Sequence, residues 1–291
     1  NRFELLTEVA TWGEASKNSM LEVGYTLTNG SDKAGDFEFY LLVRPFQVNP
    51  YYQFLNFPGG AGKINEIEEV NRRRVSVDDK LLLFQEDFDA FGAVTFDGGN
   101  VIDLLRNGYF PEGKSAVDPA GLAQGVVKYT LHLGPGEKKK VLVAVPFHGK
   151  KSIEGYLNNG YPFDAFGKSR EFWKKEVGHV RFNLPESANP LLDTYHSNLA
   201  YILVNRDRVG IQPGSRSYER SWIRDGALPS SALLKSDIVQ EVKDFIDWYA
   251  AHQYENGKVP CVVDFRGPDP VPENDSHGEL IYLIREYFNF T

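Results

Sequence analysis

Chemistry-bearing side chains concentrate in two stretches of the 291-residue sequence. The first, SYERSWIRDGA, sets Arg220 and Arg224 among Glu219, Asp225, Tyr218 and Trp222, and Arg216 just upstream makes three arginines within nine positions. Two readings fit these residue types. Pairing of Arg220 and Arg224 with Glu219 and Asp225 would pin the loop through structural ion pairs. Alternatively, a planar guanidinium beside a carboxylate offers donors and acceptors to vicinal hydroxyls, while an indole such as Trp222 covers an apolar sugar face; that is a saccharide subsite. The second stretch, VVDFRGPDPVPENDSHGEL, repeats the character with Asp264, Arg266, Asp269, Glu273, Asn274, Asp275, His277 and Glu279. Asp275 also stands where the N-cap of a following helix is expected, with Gly278 and Glu279 in its first turn. Capping leaves Asp264, Arg266 and His277 unexplained. The spacing of Asp264, Asp269 and Asp275 fits no calcium loop, so neither a metal nor a cofactor is expected.

Helices must carry both stretches. After Pro146 the apolar period becomes helical: KSREFWKKEV is a short amphipathic helix, VRFNLP an extended connector, and ANPLLDTYHSNLAYILVNRDR spaces Leu191, Leu192, Tyr195, Leu199, Ile202 and Leu203 for one helix face. GALPSSALLK, SDIVQEVKDFIDWYAAHQYENG and DSHGELIYLIREYF predict three more helices, the second starting near Asp237 and ending before Gly257. Trp248 and Tyr249 fall at core spacing on that helix. The joints alternate between long loops and a tight turn at residues 235–237, which puts both polar stretches on one end of a hairpin array.

Upstream, from Phe3 to Phe147, the period is two. MLEVGYTLTNGSD, DFEFYLLVRPF, VVKYTLHL and KKKVLVAVPFH alternate like strands and are separated by Asn-Gly, Gly-Asp and Gly-Pro-Gly turn chemistry, which predicts a large antiparallel β-sandwich. The aromatic loop NPYYQFLNFPGG is expected to pack the sandwich against the helices. His132, His148 and His196 have no carboxylate or cysteine partner at ligand spacing and receive no role.

Composition narrows the partners. A net charge of −8 and a pI near 5.4 repel a phosphate backbone, and the basic clusters Arg72–Arg74 and Lys138–Lys140 are short. No apolar run reaches the ~18–20 residues of a membrane span. The single cysteine, Cys261, excludes an internal disulfide. Neither nucleic acid nor membrane is an expected partner. The chain opens at Asn1 without a leader segment, which leaves the compartment open and a secreted or periplasmic location compatible.

Taken together, WIRDG opening one helix and PENDSHGELIYLI opening another some fifty residues later resemble the first two active-site loops of the six-hairpin glycosidases, the (α/α)6 barrels typified by glucoamylase. NLAYILVNRD resembles the first barrel helix and IQPGSRSYERSW its lead-in, so the likeness covers residues from about 187 to 291. A β-sandwich joined by a helical linker to such a barrel is the usual plan of bacterial glucoamylase-like and phosphorylase-like members. In that family the Arg-Asp pair binds hydroxyls of the sugar next to the scissile bond, a role that would fall to Arg224 and Asp225.

The resemblance implies a β-sandwich domain over 1–150, a linker with a short helix over 151–186, and the start of an (α/α)6 six-hairpin domain over 187–291, truncated. It implies a glycoside hydrolase of inverting, glucoamylase-like type, with a phosphorylase or a non-catalytic carbohydrate-binding fragment as alternatives. Tyr218, Trp222, Arg224, Asp225, Asp264, Arg266, Asn274, Asp275 and His277 would bind a carbohydrate substrate, and the general acid and base would lie beyond Thr291. Such an ending would strip Leu280, Ile281, Ile284, Tyr287 and Phe288 of neighbours, so either a homo-oligomer or a C-terminal remainder is expected to cover them.

Overall fold

The computed structural model describes residues 3–15, 17–47, 60–215 and 218–291. They fall into two compact units, one within the chain up to Arg170 and one running from Glu171 to Thr291. The aromatic loop over 49–59 lies outside the described residues.

Alternation in the first unit produces β1 (Phe3–Trp12) and β2 (Met20–Asn29), paired antiparallel from Phe3 opposite Asn29 to Trp12 opposite Met20. There follow β3 (Gly35–Val43), β4 (Phe46–Gln47), β5 (Ala61–Gly62), β6 (Glu66–Asn71), β7 (Arg74–Val77), β8 (Lys80–Phe84) and β9 (Ala90–Val94). Helix α1 (Val101–Arg106) starts where the Asn100 side chain accepts a hydrogen bond from the Ile102 N–H at 2.9 Å. It leads to β10 (Ser115–Val117), β11 (Gln124–Leu133) and β12 (Lys138–Pro146). Between the last two, Gly136 at φ 72° makes the expected turn, since only glycine enters that region without strain.

Seven strands form one sheet in the order β1-β2-β12-β8-β7-β6-β10, and three form a second in the order β3-β11-β9. Inward residues of the two meet in one core: Leu27, Ile67, Val75, Val141 and Val143 from the larger, Phe91, Val127, Tyr129 and Leu131 from the smaller. That is the expected sandwich. The outer face of the larger sheet is covered by Ile153, Tyr156, Leu157, Tyr161 and Phe163, the region of α2 (Glu154–Asn159), packed on Met20, Leu81, Leu83 and Ala144. Beneath that cover Glu22 is fully buried. Its Oε2 accepts from the Ala165 N–H at 3.3 Å, its Oε1 makes no hydrogen bond among the described residues, and desolvation raises its pKa against the lowering effect of the Ala165 N–H and the Tyr161 hydroxyl. His132, unpartnered by sequence spacing, bonds Asp36 at 2.7 Å because the β3–β11 register sets them opposite each other.

α3 (Ala165–Glu176) follows, and the second unit then builds on α4 (Asn189–Val204), α5 (Ile223–Lys235), α6 (Gln240–Ala250) and α7 (Ser276–Phe290). Its core joins Leu199, Leu233, Leu234, Val242, Phe245, Tyr249, Leu280 and Leu283. Tyr249 is a core residue as its spacing implies, and Trp248 packs partly buried beside it. Gly226 lets α5 approach α6, for a Cβ there would lie 2.3 Å from the Phe245 ring. The joint near Asp237 is tight: that residue takes φ 60°, and the Tyr195 hydroxyl ties α4 to it through Ser236 at 2.7 Å.

Two boundaries differ from the sequence pattern. α5 begins at Ile223, three residues before GALPSSALLK, because the buried Ile223 donates its N–H to the Cys261 carbonyl at 3.0 Å and anchors the helix start. α6 begins at Gln240 and not near Asp237, whose positive φ belongs to the preceding turn. The final helix meets the expectation of uncovered apolar residues in part. Leu280 is buried and Tyr287 packs on the core, whereas Ile281, Ile284 and Phe288 are exposed. Among the described residues no helix is long and apolar enough to cross a membrane.

Candidate functional site

The loops after α4 and after α6 are joined by a small antiparallel sheet. β13 (Ser221–Trp222) pairs with β14 (Val262–Asp264), Ser221 opposite Val263 and Trp222 opposite Val262, and β14 pairs with β15 (Gly267–Pro268). The β-branched Val262 and Val263 favour this extended local structure and are buried. Asp264 closes the turn by accepting from the Arg266 N–H at 2.8 Å. Beneath the sheet the Tyr249 hydroxyl donates to the Pro260 carbonyl at 3.0 Å, which ties α6 to the second loop.

Arg220 locks this arrangement. Its Nε donates to Asp264 Oδ2 and its Nη2 to Asp269 Oδ2, each at 2.8 Å, and the Arg266 Nη2 adds a 2.6 Å contact to Asp264. The Arg220 side chain is 8% exposed and that of Asp264 2%. The Arg220 guanidinium also sits 5.3 Å from the centre of the Trp222 ring. Burial pushes the Asp264 carboxyl up, but hydrogen bonds from Arg266 and Arg220 outweigh it and hold the pKa below its ordinary value. Asp269 is likewise lowered, chiefly by Arg220 and then by the Val271 N–H. Two arginines and two carboxylates neutralise one another here, and this cluster pins one loop to the other.

Four residues on, Arg224 projects from the first turn of α5 into a different setting. Its Nη1 donates to Glu273 Oε2 and to Asp275 Oδ2, both at 2.9 Å, and its Nη2 lies 3.6 Å from Asp225 Oδ2. All four side chains are between 35% and 42% exposed. Hydrogen bonds to Asp275 and Glu273 hold the guanidinium more firmly protonated than a free arginine. One cation among three carboxylates leaves a net charge of −2 with acceptor lone pairs facing solvent, an arrangement suited to hydroxyl donors. Pro229, inside α5, supplies no N–H to the Asp225 carbonyl one turn back, so that backbone acceptor lacks its usual helical partner.

The sequence-derived candidates thus separate into groups. Arg224, Asp225 and Asp275 come together, while Asp264 and Arg266 belong to the pin. Asp275 occupies the N-cap position of α7, yet its backbone is αR and its carboxylate makes no capping hydrogen bond; it bonds Arg224. Trp222 is half-buried with Tyr218 exposed beside it, ring centres 6.3 Å apart. Asn274 and His277 are exposed and make no hydrogen bond to the Arg224 cluster among the described residues. The expected pairing of Arg220 with Glu219 gives way to partners in the other loop. Glu273, a carboxylate of the second stretch that was not among the expected substrate-binding residues, joins the site through Arg224. Among the described residues no group of three or more His, Cys, Asp or Glu is arranged to hold a metal ion.

No family model and no curated protein matches the sequence. Solved structures do resemble it. The chain is similar to a bacterial glucoamylase crystallised in complex with acarbose, with TM-score 0.59 and 12% identity over 98% of this chain and 47% of that one. A human-microbiome protein named as a kojibiose phosphorylase superposes with TM-score 0.47 and 11% identity over 99% of this chain and 43% of that one. The chain therefore spans about half the length of these structures. At such identity the likeness to the glucoamylase is one of fold: an antiparallel β region followed by helices, in one chain.

Proposed function

We propose that this chain is part of an enzyme acting on glycosidic bonds, and that α4 to α7 are the first hairpins of an (α/α)6 toroid whose substrate loops they carry. The observation that supports this most is the Arg224–Asp225–Glu273–Asp275 cluster, which gathers the N-terminal ends of α5 and α7 at half-exposed positions. Arg224 donates to sugar oxygens, the carboxylates accept from sugar hydroxyls, and Trp222 with Tyr218 offers aromatic surface beside them. The fold shared with the glucoamylase agrees with this reading.

Hydrolysis with inversion is favoured over phosphorolysis. It requires a carboxylic acid to protonate the leaving oxygen and a carboxylate to activate water, about 6.5–9.5 Å apart. Glu273 and Asp275 each accept a hydrogen bond from Arg224, and Asp225 lies beside the same cation, so that one guanidinium engages all three carboxylates. These three are therefore substrate-binding groups, and the acid and base are assigned to other residues. The test is release of reducing sugar or of sugar phosphate from an oligosaccharide panel, by this chain and by the product of the complete reading frame. Hydrolysis by the complete product, lost in Asp225→Asn, is expected. Absence of both products from the complete protein across the panel would overturn the proposal.

A further inference from the structure

A cavity of about 570 Å³ opens on the helical unit next to the small sheet, with Asp207, Arg208, Gln212, Ser221, Trp248 and Phe265 in its lining, together with Asp264, whose charge Arg220 and Arg266 already neutralise. None of Arg224, Asp225, Glu273 or Asp275 lines it. Its size falls inside the ~300–1,000 Å³ range of small-ligand sites.

The polar groups of this cavity are left open by the protein itself. Gln212 is 8% exposed and Ser221 1%, yet neither the amide nor the hydroxyl makes a hydrogen bond with any described residue, and both line the cavity. At the rim, Asp207 and Arg208 are exposed and form no ion pair among the described residues. The backbone turn that carries them is closed by hydrogen bonds of 2.8 and 3.0 Å between Asp207 and Gly210. Glycine keeps this wall open, since a Cβ at 210 would lie 2.7 Å from the Ser221 hydroxyl and 3.4 Å from the Trp248 ring. Phe265, 82% exposed, presents a ring at the mouth.

These groups select a ligand class. An anion would face Asp207, a cation would face Arg208, and a wholly apolar molecule would seal Gln212 and Ser221 without partners. A neutral ring with hydroxyls on its edge and an apolar face satisfies the amide, the hydroxyl, both rim charges and the aromatic groups together. We infer that this cavity binds a saccharide unit, at a second site separate from the Arg224 cluster. The cavity argument uses no residue of that cluster, although the ligand class agrees with the proposed function.

Calorimetric titration of the 291-residue chain with maltotriose, cellotriose and xylotriose tests it, in the wild type and in Gln212→Leu, Phe265→Ala and Asp225→Asn. Gln212→Leu replaces a buried amide that bonds nothing in the protein by an apolar side chain of similar size, so folding is retained, as circular dichroism would verify. For at least one trisaccharide, Gln212→Leu and Phe265→Ala should each weaken binding tenfold or more, while Asp225→Asn keeps that binding event. Unchanged binding in both cavity variants, or no binding of any of the three sugars to the wild type, overturns the inference. Loss of all binding in Asp225→Asn alone also overturns it, while supporting the function proposed above. The converse pattern, weakened binding in the cavity variants with binding kept in Asp225→Asn, sustains the cavity as a separate site and leaves the role of Asp225 to the hydrolysis assay.

Discussion

Arg220 and Asp264 meet at 2.8 Å with side chains 8% and 2% exposed, although 44 residues separate them in the chain. Arg224, four residues further on, meets Asp275 at 2.9 Å with both side chains 42% exposed. The two contacts are chemically alike, and burial alone gives them different work. The first is closed to solvent; the second is open to it. The first also supports the second, because it fixes the strand from which α5 departs.

Removing Arg220 takes one of two arginine partners from the buried Asp264 and the arginine hydrogen bond from Asp269, and breaking a buried pair costs up to about 3–5 kcal/mol. Arg220→Ala should therefore destabilise the helical unit by that amount in urea denaturation followed by tryptophan fluorescence. A loss within the ~0–1 kcal/mol of a surface pair would mean that the cluster is not a pin.

The pH dependence follows from the lowered Asp264 and Asp269 carboxyls. Their ordinary value is 3.8 and their folded values lie lower, so the native state binds fewer protons than the unfolded one in acid. Their stabilisation is complete above 3.8 and declines as pH falls below it toward the folded values. Urea midpoints across that range should show this decline in the wild type and a shallower one in Arg220→Ala. Equal slopes in the two proteins would remove Arg220 as the cause.

Glu22 has the opposite sign. Burial raises its pKa above the ordinary 4.5, so stability decreases as pH rises from 4.5 through the folded value. Glu22→Gln keeps an acceptor for the Ala165 N–H and removes the buried charge. It should raise the melting temperature of the sandwich unit at pH 7, and a lower melting temperature would show that the carboxylate is better satisfied than its unpartnered Oε1 indicates.

Asp275→Ser separates capping from ligand binding, because serine caps helices well but cannot pair with Arg224. Stability should change by less than about 0.5 kcal/mol, as for other surface substitutions. Saccharide affinity at the Arg224 cluster should fall about tenfold or more, the cost of one charge-assisted hydrogen bond. Unaltered affinity would return Asp275 to a purely structural role.

Gly226→Ala places a methyl group 2.3 Å from the Phe245 ring, which is fully buried and has nowhere to move. Overpacking of this kind costs about 1–3 kcal/mol. Chemical denaturation of the variant checks it, and a neutral result would mean that α5 and α6 separate at little cost.

The periodicities along the chain determined its elements. Alternation in MLEVGYTLTN and KKKVLVAVP is local, so β2 and β12 were legible before any partner was known, and the helical spacing of Leu199, Ile202 and Leu203 marked α4 in the same way. The convergence of both polar loops on one end of the helices was also implied, by the alternation of long and short joints. The allocation of charges was not. Arg220 and Arg224 are equivalent by spacing, His132 has no sequence neighbour to suggest Asp36, and Asp275 reads as a cap because a cap is defined by local position. Each outcome depended on a partner 44, 96 or 51 residues away and on whether neighbouring surfaces exclude water from the contact. Spacing along the chain determines which way a side chain points from its own element; only the packed structure decides what it meets there and at what dielectric, and that difference makes one arginine a buried pin and leaves the other open to solvent, where we propose that it meets ligand.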